Sequence, residues 1–465
     1  LSRNTDAKIA TRSSNSGIDV GENATGRATE IDPQGVEGRQ PAMNIAARFR
    51  TALLHRSGIA VSLLLLLFFD LCGAQTPAAD SLVTRLAEQG FENLVVAVND
   101  SEWVVQYENR VYRHEMAAAG IVLAAAVRLA PDIETLVLVP QNRGVAIARL
   151  AVPCQAYLDF VQGSGGSRVF SDQIVFIEGG DQPANGKQES SFWRFDLIAN
   201  VGQEVRLGNY DDRFKLYGYV LPALLVTPWK GSRVVLEAIR PFYDDIGVHG
   251  EETRIGRANI GQALILPGNI AAAVQFGVHM PERWGWVVDA ARFFWQRRIL
   301  LGAQYSKTGF LYRYEDTWLY SPVATETWRV YATWFCDRID LQLTADYARY
   351  LMGDSGPRIS LMRNFGETSL GFYFTSTAED KHGGVQVAIP LPPARRAKPA
   401  AFRINWPERY KLDYRATTKV YTIGPPIQTG ISVNAGFDIN DFYKRLNAST
   451  IANQVEIWQE LWQTP

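Results

Sequence analysis

Between Phe192 and Thr422 one pattern recurs: runs of seven to twelve residues in which apolar and polar side chains alternate, divided by Gly, Pro, Asn and Asp. Period-two alternation puts one set of side chains on each face of a β-strand, so this half of the chain is committed to sheet. Ile339, Leu341, Leu343, Ala345 and Tyr347 alternate with Asp340, Gln342, Thr344 and Asp346. Trp328, Val330, Ala332 and Trp334 alternate with Arg329, Tyr331 and Thr333. The segments around Trp284, Ile299, Leu370 and Val385 repeat the theme. Trp328 and Trp334 lie six residues apart, roughly 20 Å along a strand, and with Tyr347 they edge an apolar band as a membrane girdle does.

The expected fold is therefore mainly β: a transmembrane antiparallel β-barrel of about 12 to 14 strands over 191–425, preceded by a small periplasmic α/β module. A soluble β-sandwich or propeller, in which the apolar faces meet inside, is the alternative. The aromatic residues at strand ends and the charges on the polar faces favour the barrel.

Composition narrows the partners. The 465 residues carry 47 Lys plus Arg against 48 Asp plus Glu, a formal charge of −1, which gives no global attraction to nucleic acid. Three Cys and five His argue against a disulfide framework or a Cys/His metal cluster. Twelve Trp, 19 Tyr, 22 Phe and 38 Gly suit β architecture.

Residues 1–42 read as disordered or as an over-extended start. Residues 43–74 read as a secretory signal peptide: Arg48, Arg50 and Arg56 precede an apolar run from Gly58 to Phe69, and Cys72-Gly73-Ala74 offers a small-residue cleavage site. A single membrane anchor is disfavoured because the run is shorter than the roughly 20 residues a spanning helix needs. Residues 80–163 read as an α-β-β-α-β-β module: helices Ser81 to Gly90 and Arg113 to Leu129, strands Leu94 to Val98, Trp103 to Glu108, Thr135 to Val139 and Val145 to Val152, with a turn at Asn142-Arg143-Gly144. Its element order is similar to that of BON-type domains. Residues 164–190 read as a linker holding one short strand, Gln173 to Ile177, and 436–465 as amphipathic helices that plug the barrel or dock on its periplasmic side.

Three runs carry a family resemblance. Arg349-Tyr350-Leu351-Met352-Gly353-Asp354-Ser355-Gly356, followed by Arg363-Asn364-Phe365, resembles a signature of the YjbH/GfcD-type exopolysaccharide and capsule biosynthesis proteins. Lys381 to Leu391 is similar to that family's lysine-glycine turn and following strand, and Tyr107 to Arg113 to another of its runs. The resemblance spans most of 85–425 and implies an outer-membrane β-barrel with a periplasmic module, acting beside exopolysaccharide export components. Its expected partners are polysaccharide, outer-membrane lipid and those components. The chain is shorter than typical members.

On the residues themselves, Asp289, Arg329, Asp340, Gln342, Asp346 and Arg358 are candidate lumen positions, since carboxylates, amides and guanidinium groups hydrogen-bond glycan hydroxyls. Arg349, Tyr350, Gly353, Asp354, Gly356 and Arg363 read as turn architecture, with Tyr350 at lipid headgroup level and an arginine, Arg349, Arg358 or Arg363, pinning the turn through Asp354. The acidic loop Asp244, Asp245, His249, Glu251 and Glu252 reads as solvated rather than catalytic, and His114-Glu115 as a surface pair. No nucleophile elbow, phosphate loop or zinc motif occurs, so neither enzyme activity nor a cofactor is expected. A non-conducting assembly scaffold, a soluble carbohydrate-binding protein and a glycan hydrolase stand as alternatives to the export role.

Overall fold

A computed structural model describes residues 77–99, 101–177, 191–206, 215–247, 252–314, 317–379, 381–417, 446, 448–452 and 454–455. The leader expected over 1–74, His249 and Glu251 of the acidic loop, and most of the C-terminal helices lie outside these residues. Among the described residues no helix is long and apolar enough to cross a membrane.

The N-terminal unit follows the expected element order and then extends it. Helix α1 (Pro77–Gln89) precedes an antiparallel pair, β1 (Glu92–Val98) and β2 (Glu102–Glu108). Helix α2 (Glu115–Leu129) carries the chain across to β3 (Thr135–Asn142), which lies parallel to β2. A two-residue turn, Arg143 and Gly144 at φ 56° and 73°, leads to β4 (Val145–Ala146), the left-handed pair a tight hairpin demands. The single strand expected over Val145 to Val152 is broken, since β5 (Leu150–Pro153) starts separately after three residues. Two unforeseen helices follow, α3 (Cys154–Val161) and α4 (Ser167–Gln173), before β6 (Val175–Phe176) pairs with β5. The stretch expected to be a linker from 164 thus belongs to the module as far as Ile177, with Phe170 and Ile174 in its core.

Strands β7 (Phe195–Arg206), β8 (Lys215–Val226), β9 (Ser232–Asp244), β10 (Arg254–Leu266), β11 (Ile270–Met280), β12 (Arg283–Phe294) and β13 (Ile299–Tyr314) begin the second sheet. β14 (Thr317–Tyr320), β15 (Thr325–Cys336), β16 (Leu341–Arg349), β17 (Ser355–Phe365), β18 (Thr368–Ser376), β19 (Lys381–Pro390), β20 (Phe402–Asn405) and β21 (Arg409–Thr417) complete it. Of these fifteen strands, β14 is a side hairpin on β13 and β20 a short parallel partner of β7; the other thirteen form one antiparallel meander. β21, the last of them, comes within 8 Å of β7, the first, although no ladder joins the two among the described residues. The sheet is therefore strongly curled.

One boundary moves. Asp337–Ile339 form a single 3-10 turn and Asp340 sits in the left-handed region at φ 51°, so the strand expected from Ile339 begins at Leu341. Asp340 is a turn residue rather than a strand position. Its main-chain oxygen accepts a hydrogen bond from the Asn364 N–H at 3.0 Å, tying this turn to the end of β17.

Candidate functional site

The two faces of the curled sheet have the reverse of a soluble protein's polarity. On β18, Phe372 and Phe374 are each 52% exposed, whereas Tyr373 and Thr375 between them are 5% and 0% exposed. β17 shows Ile359 and Leu361 outward and Arg358 and Ser360 half-buried, and β15 shows Val330 and Trp334 outward with Tyr331 and Thr333 buried. Leaving half a Phe side chain in water forgoes on the order of 1 kcal/mol. Repeated round the sheet, this makes an apolar surface far larger than a soluble monomer presents. An aromatic row runs across it: Trp286 lies 5.3 Å from Tyr305, which stands opposite Trp328, and Trp328 stacks on Tyr347 at 5.9 Å. Trp334, six residues along β15, is 44% exposed near the other rim.

The inner face carries four of the six candidate lumen residues within one wall. Asp289 on β12 faces Gln304 on β13, which faces Arg329 on β15. Asp346 on β16 lies between Tyr331 and Arg358 in the cross-strand register. The Tyr331 hydroxyl donates to the Asp289 carboxylate at 3.3 Å, and the guanidinium groups of Arg329 and Arg358 lie over the rings of Tyr331 and Tyr373 at 4.4 and 4.2 Å. Asp289 is buried, so it is part of the wall; Arg329, Asp346 and Arg358 keep some exposure. Gln342 shares this face near the β15–β16 turn, its amide 3.4 Å from the Thr344 hydroxyl, while Asp340 stands apart as described.

The Arg349 to Gly356 run is a turn, and main-chain bonds run across it. The Tyr350 N–H donates to Asp354 O at 2.8 Å and the Gly353 N–H to Tyr350 O at 3.0 Å, with Gly353 at φ +86°. At Gly356 a Cβ would stand 2.0 Å from Ser376 O, so only glycine fits. Tyr350 is turned to the inner face and buried, away from any headgroup level. Counting parity on from Asp346 would have placed it there. Arg363 cannot pin Asp354: it lies nine residues along β17, roughly 30 Å away, over the Phe365 ring. Arg358 lies over Tyr373, and the two backbone bonds close the turn.

The run Glu108 to Arg113 has a role that sequence reading missed: it fastens the module to one end of the sheet. Glu108 accepts the Arg143 and Gly144 N–H groups at 2.9 Å each, fixing the β3–β4 turn. The Asn109 side chain closes a local turn by accepting from Tyr112 N–H at 2.8 Å and donating to Tyr112 O at 2.8 Å. Arg110 bridges Glu92 of β1 and Asp196 of β7. Asp196 also binds Arg403 of β20, whose Nη1 donates to Arg110 O at 2.9 Å, and Arg194 binds Glu92. Arg113 pairs with Glu367 in the β17–β18 turn and donates to Leu391 O.

Other bonds reach further round. The Gly231 N–H, in the β8–β9 turn, donates to Arg143 O at 2.8 Å, and Arg297, in the β12–β13 turn, donates to Ile147 O at 2.7 Å. Turns belonging to strands far apart in the sheet thus meet one small module, which a flat sheet of thirteen strands, on the order of 60 Å wide, would not allow. Module and inner face also share one core: Ala271, Ala273, Ala291 and Leu300 join α2 and the C-terminal residues Leu446, Ile451, Ala452 and Val455. A Cβ on Gly120 of α2 would meet Val455 at 3.2 Å, and the Ser449 hydroxyl donates to Asp337 O at 3.1 Å. The C-terminal segment therefore sits between α2 and the sheet.

His114, expected at the surface, is half-buried in this seam at the start of α2, and desolvation pushes its imidazole below the ordinary histidine range. The neighbouring Glu367 and Asp340 oppose that shift, while Arg409 and Arg113 reinforce it. Among the described residues no three His, Cys, Asp or Glu side chains converge as a metal site. Compared with family models, with curated proteins and with solved structures, the chain matches none.

Proposed function

We propose that this chain is an outer-membrane β-barrel protein that takes part, without catalysing a reaction, in exopolysaccharide or capsule biosynthesis or export, with its N-terminal module on the periplasmic side. The observation that carries the reading is the inverted sheet: an aromatic-edged apolar exterior over a polar interior is what a strand needs when its outside is lipid and its inside is wet. The approach of β21 to β7 supports closure into a barrel. The resemblance of residues 107–113, 349–356 and 381–391 to the YjbH/GfcD-type proteins supports the exopolysaccharide context, and the exposed parts of Arg329, Asp346 and Arg358 offer suitable groups for glycan hydroxyls.

A specific observation favours a closed assembly component over an open pore. The module and the segment around Ile451 share a core with one end of the inner face, so a polymer can pass only if the seam through Asp196 and Glu367 opens. Fractionation tests the membrane reading: heat-modifiable migration and recovery in the outer membrane support it, and release into the soluble periplasm removes it. A deletion strain tests the role. Loss of surface polysaccharide is expected, and intact polysaccharide would overturn it. Conductance in planar bilayers should be absent from the whole chain.

A further inference from the structure

The turn joining β12 to β13 is strained. Trp295, Gln296 and Arg297 have φ of 51°, 54° and 63°, three successive left-handed residues of which none is glycine. Such conformations persist where the surroundings fix them, and they concentrate at ligand sites. The turn throws Trp295 outward, 75% exposed, and folds Arg297 back so that its guanidinium lies 4.1 Å from the Phe293 ring centroid. The Gln296 side chain accepts from the Phe176 N–H at 2.8 Å, binding the turn to the module's edge strand.

Between this turn and the module's 146–149 loop lies a cavity of about 100 Å³, lined by Ile147, Arg149, Phe176, Phe294, Trp295 and Arg297 among others. Arg149 is its unspent cation: its guanidinium has no hydrogen-bond or ion-pair partner among the described residues, and its Nε is closed off from solvent. Arg292, over Phe294 at 5.0 Å, adds positive charge at the same turn, where the exposed Arg298 pairs with Asp337 at 3.9 Å. The exposed Val175 and Ile177 continue the apolar lip beside Trp295.

We propose that this cavity binds the phosphate headgroup of a phospholipid in the leaflet on the module's side, with Arg149 and Arg297 holding the phosphate and Trp295, Val175 and Ile177 meeting the adjoining apolar region. Guanidinium groups match phosphate oxygens in a planar fork, and tryptophan favours the headgroup level. Basic pockets at membrane rims recognise anionic headgroups in this way. The lipid source rests on the membrane reading above; the phosphate chemistry does not.

The test is the thermal unfolding midpoint of the full chain in detergent with added phosphatidylglycerol, phosphatidylcholine or inorganic phosphate. Phosphatidylglycerol is expected to raise the midpoint by a few degrees through binding to the folded state, and more than phosphatidylcholine. Arg149→Gln should abolish that rise and shift the lipid-free midpoint far less, because the Arg149 side chain makes no hydrogen bond or ion pair among the described residues. Trp295→Ala should weaken the lipid response and leave any phosphate response alone. An equal rise with inorganic phosphate overturns the lipid assignment in favour of a free anion, and a response in Arg149→Gln equal to wild type overturns the site. Recovery in the outer membrane with no response to phosphatidylglycerol sinks this inference alone. Soluble periplasmic recovery with a phosphate response lost in Arg149→Gln sinks the membrane reading and the lipid source together.

Discussion

The α/β module and the curled sheet use apolar residues in opposite senses. In the module, α2 buries Met116, Ile121, Val122 and Leu123 along with most of its alanines, and β3 buries Leu136 to Val139. The α2 side chains pack with Leu136 and Leu138 in one core, out of contact with water. In the sheet the large apolar side chains face out, and Ser306, Thr308, Thr327, Thr333 and Thr375 are the ones hidden. The difference teaches that the strand pattern is tuned to its solvent: the same alternation gives a soluble core or a lipid-facing wall according to which face carries the aromatics. What joins the two units is a shared apolar core, with a set of ion pairs in a narrow seam beside it.

That seam should be the most sensitive place to cut. Asp196→Ala removes the common partner of Arg110 and Arg403, leaving the buried Arg403 without its carboxylate and Arg110 with Glu92 alone, and should cost about 3–5 kcal/mol. The denaturant midpoint of the full chain checks it, with release of the module by limited proteolysis as the second readout. Next in size, Phe372→Lys on the outer face should cost about 2–4 kcal/mol if that face meets hydrocarbon near the bilayer midplane. The matching change Val169→Lys, at an exposed module position, should stay within about 0.5 kcal/mol. A Phe372→Lys protein as stable as the parent in lipid would erase the contrast between the two regions. Gly120→Val should cost about 1–3 kcal/mol by crowding Val455, and it tests whether the C-terminal segment is wedged against α2.

The smallest effect concerns His114. Its folded-state pKa lies below the unfolded value of about 6.5, so the unfolded chain binds more protons in acid. The resulting stability is complete above pH ~6.5 and is lost as pH falls from there towards the folded-state pKa. Melting the parent and His114→Gln across this range should show a steeper acid decline in the parent; parallel curves would mean that His114 titrates alike in the folded and unfolded chain.

Much of this was legible from local pattern. The faces of β15 to β19 follow from parity alone, and α2 from an alanine-rich run ending before Pro131. The Arg143-Gly144 turn follows from its residues. Helix α4 was missed because Gly163 to Gly166 and the polar residues beyond read as a linker, whereas burial of Phe170 decides the matter. Asp340 was misplaced because parity counting ignores a 3-10 turn, and Tyr350 because the alternation was followed only to Tyr347, three residues short of it. The seam was illegible in principle: Arg110 and Arg113 find partners 86 and 254 residues away, and no local signal distinguishes them from arginines facing water.

β20 and β21 are separated only by Trp406, Pro407 and Glu408, yet they lie at the two ends of the sheet's strand order. One short stretch near residue 405 therefore grips the first long strand with one hand and the last with the other. Until it has been synthesised, β7 and β19 each present a bare edge to any passing strand, the condition that invites aggregation. A chain cut just before Phe402 would lose only a small fraction of its residues but the whole of that fastening, and such a nascent chain has to be kept apart from its neighbours until the stretch emerges.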